Sequence, residues 1–128
     1  MDFITVKGQK AGPIGQGTWY LGENPHTFSR ECSALQAGIE AGMTLLDTAE
    51  MYGDGAAEQL LGQAIRGYDR ESLYLVSKVY PFNAGRRNIF KSCEASLRRM
   101  GTDYLDLYLL HWRGSIPLAE TVECMEEL

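Results

Sequence analysis

Four polar side chains stand at or just beyond the ends of short apolar stretches in this sequence. Asp47 closes the run MTLLD, Lys78 lies near the end of LYLVSKV, and His111 ends LDLYLLH. Tyr52 follows Asp47 by five positions in the loop DTAEMYGDG, whose two glycines allow the backbone to turn tightly. If the apolar stretches are neighbouring parallel strands, an acid, a phenol, an amine and an imidazole meet at one edge of the sheet.

This set of groups suits proton transfer to a carbonyl oxygen. A phenol in water has a pKa of about 10, and an adjacent ammonium makes it a better proton donor because the cation stabilises the phenolate. We therefore expect Lys78 to activate Tyr52, and Asp47 to hold the lysine in place. The imidazole of His111 can orient a carbonyl oxygen and stabilise the negative charge that develops on it during reduction. The sequence predicts no metal site.

Each of these residues also has an ordinary structural explanation. Asp47 can cap the following turn, and Lys78 can run along the surface with its amine in water. Tyr52 can be a half-buried aromatic residue, and His111 can be a core histidine with its hydrogen bonds satisfied. Because all four occur at matching positions on consecutive predicted strands, we favour the functional interpretation.

Helical periodicity alternates with short apolar runs along the chain. Helices are predicted over residues 27–42, 57–67 and 89–101 and from about Pro117, and strands over residues 43–47, 73–79 and 105–111. This alternation implies βαβ units and a parallel sheet covered by helices, so the chain is of the α/β class. The first eight residues alternate loosely and predict a short hairpin strand at the bottom of the fold.

The spacing of the strand ends favours a barrel. Thr18, Asp47, Lys78 and His111 follow one another at intervals of 29, 31 and 33 residues. This is close to the interval expected when about 250 residues are divided among eight βα units. We therefore predict the amino-terminal half of a (β/α)8 barrel, with about four βα units in one domain over residues 1–128. A doubly wound sheet is the alternative, but the segment GPIGQGTW lacks the third glycine of a dinucleotide fingerprint.

Composition limits the classes of partner. Seventeen acidic and twelve basic residues give a formal net charge of -5, so the basic surface that nucleic acid requires is not expected. The longest apolar runs fall short of the roughly 18 residues of a membrane span, and the start MDFITVKGQK does not resemble a signal peptide. We expect a cytoplasmic protein that acts on a small molecule.

Several segments together resemble the aldo-keto reductase family. They are GQGTW at 15–19, LLDTAEMYGDGAAEQLLGQAI at 45–65, LYLVSKVYP at 73–81 and SLRRMGTDYLDLYLLHW at 96–112. Their order and spacing are those of the family, and the resemblance covers nearly the whole chain. It implies a (β/α)8 barrel that reduces aldehydes and ketones to alcohols with NADPH.

The resemblance also implies roles for the four polar residues. Tyr52 looks like the general acid, and Lys78 looks like the residue that makes it acidic enough. Asp47 looks like the partner of the lysine and a contact to the nicotinamide ribose. His111 looks like the group that orients the carbonyl and contacts the substrate.

Other matching positions imply contacts to cofactor and substrate. Gly17, Thr18 and Trp19 match the first-strand segment that lines the cofactor pocket. Trp19 and Trp112 are the expected apolar walls of the substrate site. The segments around Tyr52 and His111 look most like a bacterial branch that reduces methylglyoxal and similar small carbonyls.

Two further expectations follow from the resemblance. Some barrels of this family are regulatory subunits of potassium channels, so a non-catalytic regulatory or binding subunit is the alternative function, although the histidine at position 111 favours a reductase. The sequence also looks truncated, since four βα units make about half of a barrel. We expect the isolated fragment to be inactive and its half-barrels to associate with one another through unpaired strand edges.

Overall fold

Strands and helices alternate along the chain in the computed structural model, which describes residues 2–128. Met1, the first residue of the predicted domain and of the predicted hairpin strand, lies outside the described residues. The strands are β1 (Ile4–Val6), β2 (Gln9–Ala11), β3 (Gly15–Gly17), β4 (Leu45–Asp47), β5 (Tyr74–Val79) and β6 (Leu107–Leu110). The helices are α1 (Phe28–Glu40), α2 (Ala56–Ala64), α3 (Ile89–Met100) and α4 (Leu118–Glu127). A helix follows each of the strands β3 to β6, which confirms the four predicted βα units.

The strands β3, β4, β5 and β6 form one parallel sheet in the order of the chain. Asp47 lies opposite Val76 in the β4–β5 pairing, and Lys78 lies opposite Leu109 in the β5–β6 pairing. Because parallel strands point the same way, their carboxyl ends share one edge of the sheet. This topology carries the residues that end each strand to a common rim.

The elements are shorter than the sequence patterns predict. The strand predicted from residue 43 begins at Leu45, because Gly42 adopts a positive φ of 93° and Met43 N–H donates back to Gly38 O of α1 at 2.9 Å. The strand predicted over residues 105–111 spans Leu107–Leu110. His111 N–H still donates to Val79 O at 3.1 Å, so the ladder extends to the predicted end. The second helix ends at Ala64, and residues 65–67 form a turn rather than a last helical turn.

The antiparallel hairpin of β1 and β2 covers the amino-terminal ends of the parallel strands. Ala11 is fully buried in a cluster with Tyr74 and Val76. The side chain of Gln9 donates to the carboxylate of Asp106, one residue before β6. The hairpin therefore lies at the bottom of the sheet, opposite the rim, as the sequence predicts.

Side chains alternate between the two faces of the sheet. Leu46 and Leu75 point outward and pack with Leu60, Leu61 and Met100 of α2 and α3 in the main apolar core. Every second residue points to the inner face, where Leu107 and Leu109 of the edge strand β6 remain 40% and 37% exposed. The inner face and the edges at β3 and β6 are therefore open.

Candidate active site

Asp47, Tyr52, Lys78 and His111, here called the polar cluster, meet at the carboxyl-terminal rim of the sheet. The ammonium of Lys78 is the hub. Its Nζ lies 2.7 and 2.8 Å from the two carboxylate oxygens of Asp47, 2.8 Å from Thr48 O and 3.3 Å from Tyr52 Oη. Three protons are thus shared among four acceptors, and the lysine is held from several directions.

Backbone pairing explains why Asp47 and Lys78 are close. Asp47 is the last residue of β4, and Lys78 is the fifth of the six residues of the neighbouring strand β5. Thr18 extends the support from β3, because its N–H and its hydroxyl both donate to Asp47 O, at 3.1 and 3.0 Å. The side chains of Lys78 and Asp47 are 14% and 36% exposed, so the ion pair is shielded on the lysine side and open on the carboxylate side.

Tyr52 reaches the cluster from a turn. Its N–H donates to Ala49 O at 3.2 Å, and it begins a short 3₁₀ turn that leads directly into α2. Lys78 donates to the phenolic oxygen and lies 4.9 Å from the centre of the ring. Since the hydrogen bond from the lysine occupies a lone pair of the oxygen, the phenolic proton remains available for donation to another group.

His111 faces the ring of Tyr52 edge-on, with ring centres 5.6 Å apart. Its Nδ1 is buried and has no hydrogen-bond partner among the described residues. Burial lowers the pKa of His111 below its ordinary value, the nearby charge of Lys78 lowers it further, and Asp47 opposes the shift. The imidazole is therefore neutral at neutral pH and can donate one N–H hydrogen bond.

Aromatic rings border the cluster on the solvent side. Trp19 stacks loosely on Tyr52 with ring centres 6.3 Å apart, and Trp112 meets His111 edge-on at 4.8 Å. These two indoles are 59% and 50% exposed. A β-carbon built at Gly17 would meet no atom within 4 Å, so free space lies beside the carboxylate of Asp47, its register partner. The arrangement is an open rim on which exposed aromatic rings flank the polar groups.

The chemistry of this arrangement is proton donation and stabilisation of an oxyanion. The phenol and a neutral imidazole can both donate to an oxygen atom at the rim, while the ammonium binds the phenolic oxygen from behind. Among residues 2–128, no group of three or more His, Cys, Asp or Glu side chains is placed to hold a metal ion. Within the same residues, no helix is long and apolar enough to cross a membrane.

The structure brings the four predicted residues of the polar cluster together. The residues predicted to contact the cofactor or the substrate differ from one another in burial. Thr18 is fully buried, and its hydroxyl donates a hydrogen bond to Asp47 O. In this structure Thr18 therefore supports the backbone of Asp47. Trp19 and Trp112 lie at the rim, beside Tyr52 and His111. Contacts of these residues to a cofactor or substrate stay predictions.

Two buried carboxylates near the site were not predicted. Glu50 is 6% exposed and accepts hydrogen bonds from Tyr80 N–H at 2.6 Å and from the Asn83 amide at 3.2 Å. Glu58 is fully buried and binds Ser77 Oγ and Arg99 Nε, both at 2.6 Å. A signal for Glu58 was present, since it occupies the apolar face of a helix, one residue after Ala57 and three before Leu61.

Comparisons with known proteins find relatives that cover most of this chain. The aldo/keto reductase family model matches residues 13–128. "Methylglyoxal reductase YeaE" of Escherichia coli (strain K12) is 60% identical over 115 residues, which are 90% of this chain and 40% of that protein. "Probable voltage-gated potassium channel subunit beta" of Arabidopsis thaliana is 33% identical over 128 residues, covering 92% of this chain and 39% of the relative.

The solved structures extend the comparison to the fold. The crystal structure of an aldo-keto reductase from Klebsiella pneumoniae in complex with NADPH matches with a TM-score of 0.89 at 59% identity, covering 93% of this chain and 42% of that one. The chain spans about two fifths of the length of these relatives. The predicted α/β class and half of a (β/α)8 barrel are confirmed. Since the family model matches all but the first twelve residues, the chain belongs to the aldo/keto reductase family.

Proposed function

We propose that the protein carrying this chain reduces aldehydes and ketones to alcohols with NADPH, with methylglyoxal and similar small dicarbonyls as the substrate class. The observation that carries the proposal is the 3.3 Å separation of Tyr52 Oη and Lys78 Nζ, with the lysine held by Asp47. The 60% identity to a protein named methylglyoxal reductase supports the substrate class. We also propose that the reaction takes place in the cytoplasm.

In this proposal the polar cluster handles the carbonyl oxygen. Tyr52 Oη and the N–H of His111 donate hydrogen bonds to it, which orients the substrate and polarises the carbonyl. As negative charge develops on the oxygen, Tyr52 transfers its proton and the product is an alcohol. The phenolate that remains is stabilised by the ammonium of Lys78, whose position depends on Asp47.

The residues present fit a nicotinamide cofactor. Gly17 faces free space beside Asp47, the carboxylate of Asp47 is partly exposed and the ring of Trp19 is exposed, so each offers accessible surface to a cofactor at the rim. Asp47 would bind the ribose hydroxyls, and Gly17, Thr18 and Trp19 would border the ring. NADPH, when bound, supplies the hydride that reduces the carbonyl carbon. The Klebsiella pneumoniae structure in complex with NADPH supports this assignment.

We also propose that the isolated 128 residues bind NADPH weakly, turn over little and associate with one another. The inner face of the sheet is open to water. The high dielectric of water weakens the electrostatic interactions that would stabilise charge developing at the site. The strands β3 and β6 are edges whose backbone groups can pair with a second chain.

The decisive substitution is Tyr52→Phe in the protein that carries this chain. It removes the proton donor and keeps the ring, so kcat for carbonyl reduction should fall by about 10²–10⁴-fold while the KM for NADPH stays nearly constant. Steady-state oxidation of NADPH with methylglyoxal measures both. Tyr68→Phe is the matched control, because that hydroxyl bonds Glu40 outside the site. Turnover by the Tyr52 variant at a rate close to that of the control would refute the proposal.

A second candidate function is that of a non-catalytic regulatory or binding subunit. This candidate is supported by the 33% identity to a protein named as a probable voltage-gated potassium channel subunit. A binding subunit would hold NADPH without consuming it in the presence of any small carbonyl. The presence of His111 beside Tyr52 favours the reductase, since a binding role has no use for a carbonyl-orienting group.

A further inference from the structure

The loop between Asp47 and Tyr52 carries a buried carboxylate that the proposed reaction does not use. The backbone of this loop continues the pairing with β5 beyond the end of β4. Thr48 N–H donates to Val76 O at 2.9 Å, and Glu50 N–H donates to Lys78 O at 3.3 Å. The chain then turns away, as Tyr52 N–H bonds back to Ala49 O.

At this turn the side chain of Glu50 takes the place of a backbone acceptor. The next N–H on the same side of the β5 strand is that of Tyr80, and it donates to Glu50 Oε1 at 2.6 Å. The same oxygen accepts the side-chain amide of Asn83 at 3.2 Å. Glu50 is 6% exposed, so these bonds form away from water, where an unpaired N–H is costly.

Glu50 therefore contacts this segment twice, at Lys78 itself and just beyond the end of β5. Its N–H binds the carbonyl of Lys78, and its carboxylate binds the N–H two residues later. Tyr52 follows Glu50 by two residues, and Thr48, two residues earlier, supplies the carbonyl that accepts from Lys78 Nζ. The loop that carries the phenol is thus fastened to the strand that carries the ammonium.

We propose that Glu50 is a positioning residue that sets the distance between Tyr52 Oη and Lys78 Nζ, and so the rate of proton donation. This inference rests on the proposed function. The role depends on the reach and acceptor oxygen of the side chain rather than on its charge, because both partners of Oε1 are neutral N–H groups. A glutamine can make the same bonds, whereas an aspartate is too short by one methylene group.

The test compares Glu50→Ala, Glu50→Asp and Glu50→Gln in the protein that carries this chain, with Glu126→Ala on the exposed face of α4 as the control. Displacing a catalytic group by about 1 Å costs up to about 10²-fold in rate, so kcat of the alanine and aspartate variants should fall by roughly 10- to 100-fold. The KM values should change by less than about two-fold, since binding groups are untouched. Glutamine should restore most of kcat.

Two results would overturn the inference. One is near-normal kcat in the aspartate variant, and the other is a loss in the glutamine variant as large as that in the aspartate variant. Thermal unfolding identifies an alanine variant that does not fold, and the aspartate and glutamine variants then decide the question. Tyr52→Phe in the same experiment separates the two proposals. If that variant loses activity and Glu50→Asp does not, only the positioning role fails; if Tyr52→Phe stays active, the proposed function fails and this inference with it.

Discussion

At the scale of single residues, the candidate site is distinguished by the contacts between its side chains and not by their types. A phenol, an amine, a carboxylate and an imidazole are all common at protein surfaces. Their value here comes from one ammonium that contacts the carboxylate and the phenol together. Asp47 holds the ammonium of Lys78 in place through two hydrogen bonds, and the ammonium donates a third to the phenolic oxygen of Tyr52.

The state of His111 is a prediction at the same scale. Burial and the nearby ammonium lower the pKa of His111, so NMR titration should place it below the value of about 6.5 of a free histidine. The unfolded chain then binds more protons than the folded one just below pH 6.5. The free energy of unfolding should therefore decrease as pH falls through that region, and His111→Gln should remove this part of the decrease. Titration of His111 at or above the free value would contradict the assignment of a neutral imidazole.

At the scale of elements, a buried network holds β5 against the helices. Glu58 of α2 is fully buried and joins Ser77 of β5 to Arg99 near the end of α3. Ser77 precedes Lys78, so the outward side of the strand is anchored by Glu58 while the inward side carries the lysine. The network links three elements behind the active face.

Removing the guanidinium of Arg99 from this network should lower the free energy of unfolding. Arg99→Ala leaves the carboxylate of Glu58 buried without its charged partner, and we expect a loss of about 3–5 kcal/mol in the free energy of unfolding. Arg98→Ala is the matched control, because Arg98 is 73% exposed and 3.9 Å from Glu94. Exposed pairs of that kind contribute at most about 0.5 kcal/mol. Denaturant unfolding measures the free energy of unfolding of both variants. Equal losses would show that the buried pair of Arg99 and Glu58 contributes no more than the exposed pair.

Elements, strand ends and the contacts that strand ends make could be predicted from the sequence, whereas the contacts of the buried carboxylates could not. Asp47, Lys78 and His111 end apolar runs, and the geometry of parallel strands alone carries them to one rim. The direction of Tyr52 depends on a turn in which Gly53 and Asp54 both adopt positive φ; the glycine indicates a tight turn in the sequence, but the aspartate does not. The helical pattern marks Glu58 as lying on the buried face of α2, but its partners, like those of Glu50, are 19 to 41 residues away and no local pattern identifies them.

At the scale of the whole molecule, four βα units leave a sheet with two open edges. Leu107 and Leu109 on β6 expose apolar surface beside unpaired backbone groups. Such edges promote association between chains. The same openness leaves the rim of the polar cluster in contact with water.

The isolated 128-residue chain should therefore associate. Sedimentation at micromolar concentration should detect dimers or larger species, and Leu107→Asp should shift them toward monomer because it places a charge at the open edge. Leu118→Asp, at a similarly exposed leucine on α4, should not. A monomeric wild-type chain would contradict the proposed association.

Calorimetric titration of the same chain with NADPH should detect only weak binding, and micromolar affinity would contradict the proposed inactivity.

The central claim is that Tyr52 and Lys78 act as one proton-donating unit, as their separation of 3.3 Å implies. A double-mutant cycle of Tyr52→Phe and Lys78→Met, measured as kcat/KM for carbonyl reduction by the protein that carries this chain, tests it most directly. Residues that act as a unit have strongly non-additive effects, so the double variant should lose little more than the worse single variant. If the two single losses simply multiply in the double variant, the phenol and the ammonium act independently and the account is wrong.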